Sequence, residues 1–203
     1  MMRKAIGFYW TLPVPWAQFN AVDPHDIDKA AAQSRTIAMQ RRIVRDYAQR
    51  EFEILEESAH IELAPDRGTE EFVSGLTKLI ERARALEATI LLVDFGAATH
   101  QRTHQHLQKL LDQNADLFLP IWPGDDQTQG LVAHFGQWRE RQTEWTSGKS
   151  ARVAKALARA EQLLGQGATL GKAALALETE GLRSATGKPW TAAGLRQAIK
   201  AKT

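Results

Sequence analysis

Apolar positions recur along this chain in two rhythms. Ala5 to Thr11 is a short, nearly unbroken apolar and aromatic run closed by Pro13, the pattern of a buried strand. Ala88 to Val93 is an uninterrupted apolar run, which predicts a central strand covered on both faces. Leu117 to Trp122 predicts a further strand, ended by the turn Pro123-Gly124-Asp125-Asp126, and Glu53 to Leu55 opens a shorter one before the turn Ala64-Pro65-Asp66-Arg67-Gly68. Between these runs the spacing changes to three and four. Ile37, Gln40, Arg41, Val44 and Tyr47 predict one helix from Asp26 or Asp28 to about Glu51. Thr69-Glu70-Glu71 caps a second, with Phe72, Leu76, Leu79, Ile80 and Ala83 on one face. Leu107, Leu110 and Leu111 mark a third from Gln105 to Gln113, while the proline-containing stretch from Leu12 to Pro24 reads as a loop.

Strand and helix thus alternate over residues 1–127, which predicts an α/β domain with a mostly parallel sheet and flanking helices. Residues 128–149 read as a long connecting helix carrying Leu131, Phe135, Trp138 and Trp145, and Trp138 and Trp145 share a face suited to a dimer seam. Ser147-Gly148 breaks it. Residues 150–203 predict a small all-α unit of three helices: Ala151 to Leu164, a second capped by Thr169 and closed by Gly181, and a third capped by Thr191. Their size and Gly-containing turns describe a helix-turn-helix-like domain.

Charge sharpens that division. From Ser147 to Thr203 there are 10 Lys and Arg against 3 acids, whereas residues 1–146 carry 16 basic and 21 acidic groups. A mildly acidic body with a basic tail implies different partners for the two parts. There is no cysteine, which excludes disulfides, thiolate metal sites and cysteine nucleophiles and fits a cytoplasmic address. No run approaches the roughly 20 apolar residues of a membrane span, and the apolar run at the N-terminus is too short for a signal peptide. No membrane association is expected.

At the tail, Gly165 to Gly181 ending in Glu178-Thr-Glu-Gly181, followed by Gly187-Lys-Pro-Trp-Thr-Ala-Ala-Gly-Leu-Arg196, resembles the DNA-binding segment of serine recombinases of the resolvase/invertase type. The body resembles their catalytic domain more loosely, through Lys4-Ala-Ile-Gly-Phe-Tyr9, Met39-Gln40-Arg41, Leu76 to Arg84, Ile90 to Asp94 and Glu140-Arg141-Gln142-Thr143. The resemblance implies a resolvase-like fold, a homodimer and double-stranded DNA as partner. It also implies that the last helix enters the major groove, with Thr191, Arg196 and Gln197 meeting phosphates or base edges. Lys172, Arg183, Lys188 and Lys200 would supply phosphate contacts, and Trp190 would staple the turn and present the helix. Arg183 to Lys188 would follow the adjacent minor groove.

The chemistry of that family is missing from the expected register. Serine recombination needs a hydroxyl nucleophile and arginines that balance the charge of a phosphate in transfer. Trp10 stands where an arginine is expected and Leu12 where the serine is, while Phe95 and Ala98 replace two further cations after Asp94. The usual Asp-Arg before the second helix appears as Asp66-Arg67, too early in the register. The expectation is a catalytically degenerate, DNA-binding regulator or accessory factor of recombination or of a mobile element. Two alternatives stand beside it: an active recombinase with a rearranged site at Thr11 or Ser34, and an interaction module that heterodimerises with a true recombinase. His100, His104 and His106 read as a solvated helix face rather than a metal site, and Asp125-Asp126 as a turn, so no metal or cofactor is expected.

Overall fold

The computed structural model describes residues 2–62, 69–96 and 105–201. Two compact units are present: residues 1–14 with 19–138, and residues 139–203 with 15–18.

The first unit is built on four parallel strands, β1 (Arg3–Thr11), β2 (Phe52–Ile61), β3 (Thr89–Val93) and β4 (Phe118–Ile121), in the order β2-β1-β3-β4. The inner strands β1 and β3 carry the apolar runs because both of their faces are covered. On one side Ala5, Tyr9, Leu91 and Val93 pack under α1 (Ile27–Gln33), α2 (Arg35–Ala48) and the first turns of α5 (Asp125–Ser147). On the other, Ile6, Phe8, Ile90 and Leu92 meet α3 (Glu70–Leu86) and α4 (Gln105–Gln113). The α/β expectation for the body therefore stands as a parallel, helix-flanked sheet.

Three details differ from the sequence pattern. The single helix expected after Asp26 is two helices separated at Ser34 (φ −128°, ψ 110°). The Ser34 amide donates to the Ala30 carbonyl at 2.9 Å, ending α1, while its Oγ accepts from the Ile37 amide at 3.3 Å, starting α2. A serine can serve both helix ends at once, so the apolar spacing continues across a real break. Asp125 and Asp126 lie in the first turn of α5, where carboxylates oppose the positive helix end. Finally, β2 carries a bulge: Ala5 pairs with Ile54 and Ile6 with Glu56, leaving Leu55 as an extra residue.

The bulge shifts the alternation of β2. Phe52 and Ile54, and beyond the bulge Glu57 and Ala59, face α2, whereas Ser58 and His60 lie on the α3 face. Glu57 is consequently drawn into a charge cluster. It accepts from the Tyr9 hydroxyl at 2.7 Å and from both Arg41 and Arg45, and Arg41 also reaches Asp28 at 2.6 Å. Burial is the largest influence on Glu57 and opposes ionisation, but the bonds from Arg45, Tyr9 and Arg41 together hold its carboxyl below the usual range.

The second unit contains the end of α5, α6 (Lys149–Gly165), α7 (Leu170–Thr179) and α8 (Ala192–Lys200). Leu157, Ala160, Ala173, Leu177 and Leu195 form its core, with Trp190 packed against them. Small residues where α6 and α7 meet let the helices approach closely. Thr169 Oγ1 accepts from the Lys172 amide at 3.3 Å, and Thr191 Oγ1 accepts from the Gly194 amide at 3.0 Å, capping α7 and α8. Residues 166–169 join α6 to α7, but the connection from α7 to α8 runs over residues 180–191 and is far longer than a helix-turn-helix turn. It includes a loop closed by Ser184 N–H to Lys188 O and Gly187 N–H to Ser184 O, each at 3.0 Å.

Candidate functional site

In an open parallel sheet, ligands bind beyond the carboxyl ends of the strands where the strand order reverses. Here β1 leads to β2 on one side, and the chain then crosses to β3 on the other, so that point lies between β1 and β3. Trp10, Thr11 and Leu12 at the end of β1, and Asp94 and Phe95 after β3, are the residues that meet there.

Aromatic rings fill the position. Trp10 stands edge-on to Phe95 with centroids 6.1 Å apart and to Phe72 at 6.2 Å, and Phe95 stands edge-on to Phe135 of α5 at 5.4 Å. This is a preferred geometry for ring pairs. Asp94 is turned to its own backbone, Oδ1 accepting from the Gly96 amide at 2.7 Å. Ala98 lies outside the described residues, as do Asp66-Arg67, His100 and His104.

The two hydroxyl candidates come together but are held inside. Ser34 Oγ donates to Thr11 Oγ1 at 3.4 Å, and Thr11 Oγ1 donates to the Leu12 carbonyl at 3.2 Å. Thr11 is 4% exposed and Ser34 5% exposed, and Ser34 also caps α2. Neither hydroxyl is bonded to a base that would activate it. A different hydroxyl has one: Thr36 Oγ1 lies 2.8 Å from His134 Nε2. Burial, with a smaller contribution from Arg35, lowers the His134 pKa and favours the neutral imidazole.

Gln40 locks this end of the sheet. Its Oε1 accepts from the Trp10 amide at 3.1 Å, while its Nε2 donates to the Trp10 carbonyl at 2.7 Å and the Thr36 carbonyl at 3.1 Å. One fully buried side chain thus serves both polar groups of the Trp10 backbone and ties β1 to α2.

The seam residues divide between the two units. Leu131 is fully buried in the core of the first unit and Phe135 packs against it, so Leu131 presents no face to a second copy. Trp138 and Trp145 are half-buried. The Arg152 guanidinium lies 3.5 Å over the Trp145 ring and its Nη1 donates to the Trp145 carbonyl at 2.6 Å, covering one face of that indole from within the chain.

In the second unit, α8 exposes Ala192, Ala193, Arg196, Gln197 and Lys200, and none of its residues is acidic. Thr191, Lys172 and Lys188 are also exposed. Arg183 differs from these: it is half-buried, with Nη1 3.4 Å from Glu178 Oε1, so it is held by the protein rather than offered outward. Trp190 is half-buried against the core, and its indole N–H is enclosed with no hydrogen-bond partner among the described residues. Arg159 pairs with Glu180 at 2.7 Å, so the tail acids Glu178 and Glu180 are both matched internally.

A second site escaped the sequence reading. Ser58 Oγ lies 2.8 Å from His60 Nε2 on the α3 face of β2, beside a cleft of about 490 Å³. Burial pushes the His60 imidazole down to about 4. The available signal was a period-two row of polar residues, Glu56, Ser58 and His60, within the residues after Leu55 that the sequence pattern assigns to a short strand.

No helix among the described residues is long and apolar enough to cross a membrane, and no cluster of three metal-ligating side chains occurs among them. Comparison of the chain with models of protein families, with curated proteins and with solved structures finds no match in any of the three.

Proposed function

We propose that this protein binds double-stranded DNA through its second unit and serves as a catalytically degenerate, serine-recombinase-like regulator or accessory factor of DNA recombination or of a mobile element. The observation that carries the reading is the outer face of α8. Small residues at its N-terminal end, Ala192 and Ala193, permit close approach to a groove, and Arg196, Gln197 and Lys200 follow on the same exposed face with no acid among them. Lys172 and Lys188 add exposed cations for phosphate contact. In this reading the body is a resolvase-like domain without strand-transfer chemistry. The strand order β2-β1-β3-β4 is compatible with that, and the ring contacts of Trp10 and Phe95 occupy the positions where the resemblance calls for guanidinium groups. The protein would act as a homodimer or beside an intact recombinase.

The test is duplex-DNA binding measured against salt concentration. Affinity should fall steeply as salt rises, because each neutralised phosphate releases counterions. The slope should become shallower by about 1 for each cation replaced among Lys172, Lys188 and Lys200. Affinity that ignores both salt and these substitutions rejects DNA as the partner.

A further inference from the structure

The cleft lies wholly within the first unit, on the outer side of the edge strand β2. Ser58 and His60 form its floor, Ser74, Gly75 and Lys78 of α3 one wall, and Val22, Pro24 and His25 the other. That second wall is tied to the strand where the Ala59 amide donates to the Pro24 carbonyl at 3.2 Å. Its volume of about 490 Å³ lies in the range of small-molecule sites.

The His60 ring is fixed in this floor. Ser58 holds Nε2, the rings of Phe8 and Phe72 stand 5.4 and 6.3 Å away, and the Cε1–Nδ1 edge of the ring rests on Gly75. A Cβ at Gly75 would fall 2.8 Å from that edge, so this helix position must lack a side chain for the imidazole to sit there. The bulge at Leu55 places Ser58 and His60 on this face, as bulges beside binding sites commonly re-aim side chains.

Charge then selects the ligand. Glu56 is matched by Arg82, and Glu57 by Arg41 and Arg45, so two of the lining carboxylates are already neutralised. Lys78 and His25 also line the cleft and form no ion pair among the described residues, with Glu71 as the opposing carboxylate. The apolar part of the lining includes Val22, Phe72 and Leu79.

We infer that this cleft binds a small aromatic carboxylate, its ring lying against His60 and the apolar lining and its carboxylate meeting the Lys78 ammonium and the Ser74 hydroxyl. This site is independent of the DNA-binding reading. The probe is 2-naphthoate, titrated into the full chain labelled with nitrogen-15, with the uncharged 2-naphthamide as its match. Saturable shifts centred on Ser58, Gly75 and Lys78 are expected. Lys78→Met should weaken naphthoate about threefold to fivefold and leave naphthamide unchanged, while Ser74→Trp, an exposed wall position, should abolish both by filling the space. Lys172→Met in the second unit should change neither. Absence of saturable shifts at millimolar probe, shifts centred elsewhere, or binding indifferent to Lys78→Met and Ser74→Trp would each overturn the assignment.

Discussion

Trp10 and Phe95 stand edge-on with ring centroids 6.1 Å apart, joining the ends of the two central strands where an α/β sheet ordinarily opens to a ligand. Their contact is structural. Phe95 also meets Phe135, so the ring row fastens α5 to the sheet. Phe95→Leu should keep an apolar side chain of somewhat smaller size but lose both edge contacts, lowering stability by about 1–2 kcal/mol in urea unfolding. A Phe95→Arg variant should be more destabilising still and should not gain DNA cleavage. If Phe95→Arg unfolds at the wild-type urea concentration, the rings do not support the domain.

Gln40 should be more sensitive than its polar side chain suggests. It is 1% exposed and supplies the partners of the Trp10 amide and carbonyl. Gln40→Leu removes the side-chain partner of both groups inside the fold, costing about 2–4 kcal/mol. Gln40→Glu should be comparably damaging at neutral pH, because a carboxylate oxygen replaces the nitrogen that donates to two carbonyls. Melting temperatures of the two variants near wild type would contradict this account.

The bulge makes an unusual length prediction. Leu55 has no partner on β1, so its deletion restores a regular strand in which Ile54 and Glu57 still face α2. Deletion of Ser58 instead moves His60 and Ile61 to the wrong faces, since strand side chains alternate with a period of two. Circular dichroism should find a cooperative melt for the Leu55 deletion and loss of cooperativity for the Ser58 deletion. The reverse order would show that the bulged residue is essential.

Acid should destabilise the first unit through His60. The unfolded chain takes up a proton near the ordinary value of 6.5, whereas the folded imidazole resists until about 4. The contribution is fully present above 6.5 and is lost as pH falls through that window, and the loss is complete below 4. It is worth about 3 kcal/mol at most. Glu57, whose carboxyl is held low when folded, acts in the same direction at the acid end. His60→Phe should flatten the pH dependence of the urea midpoint between pH 7 and 5. An unchanged slope would mean that another group carries it.

For the DNA-binding reading, Arg196→Ala should weaken a preferred site by roughly 1–3 kcal/mol and relax sequence preference. Lys200→Ala should weaken all sequences alike. Arg183→Ala, whose guanidinium is held against Glu178, should disturb stability more than binding. An Arg196→Ala variant with unchanged affinity and preference would remove α8 from the groove.

Much of the architecture was legible along the chain because its signals are local. The alternation of apolar runs with three- and four-residue spacing marked β1, β3, α3 and α4, and Thr169 and Thr191 marked helix starts through caps that act within three residues. The identities of Trp10 and Phe95, where the resemblance to serine recombinases would call for arginines, were legible too, since they do not depend on the fold. The break at Ser34 was hidden because helical spacing carries across it, and the bulge at Leu55 is a property of pairing with β1, not of β2 alone. Only the tertiary structure could decide that Phe95 reaches Phe135, that Thr11 and Ser34 bond to each other in the interior, or that Gly75 yields its space to His60. A residue's local preference is set by its neighbours in sequence, whereas these relationships depend on which faces the folded sheet and helices bring together.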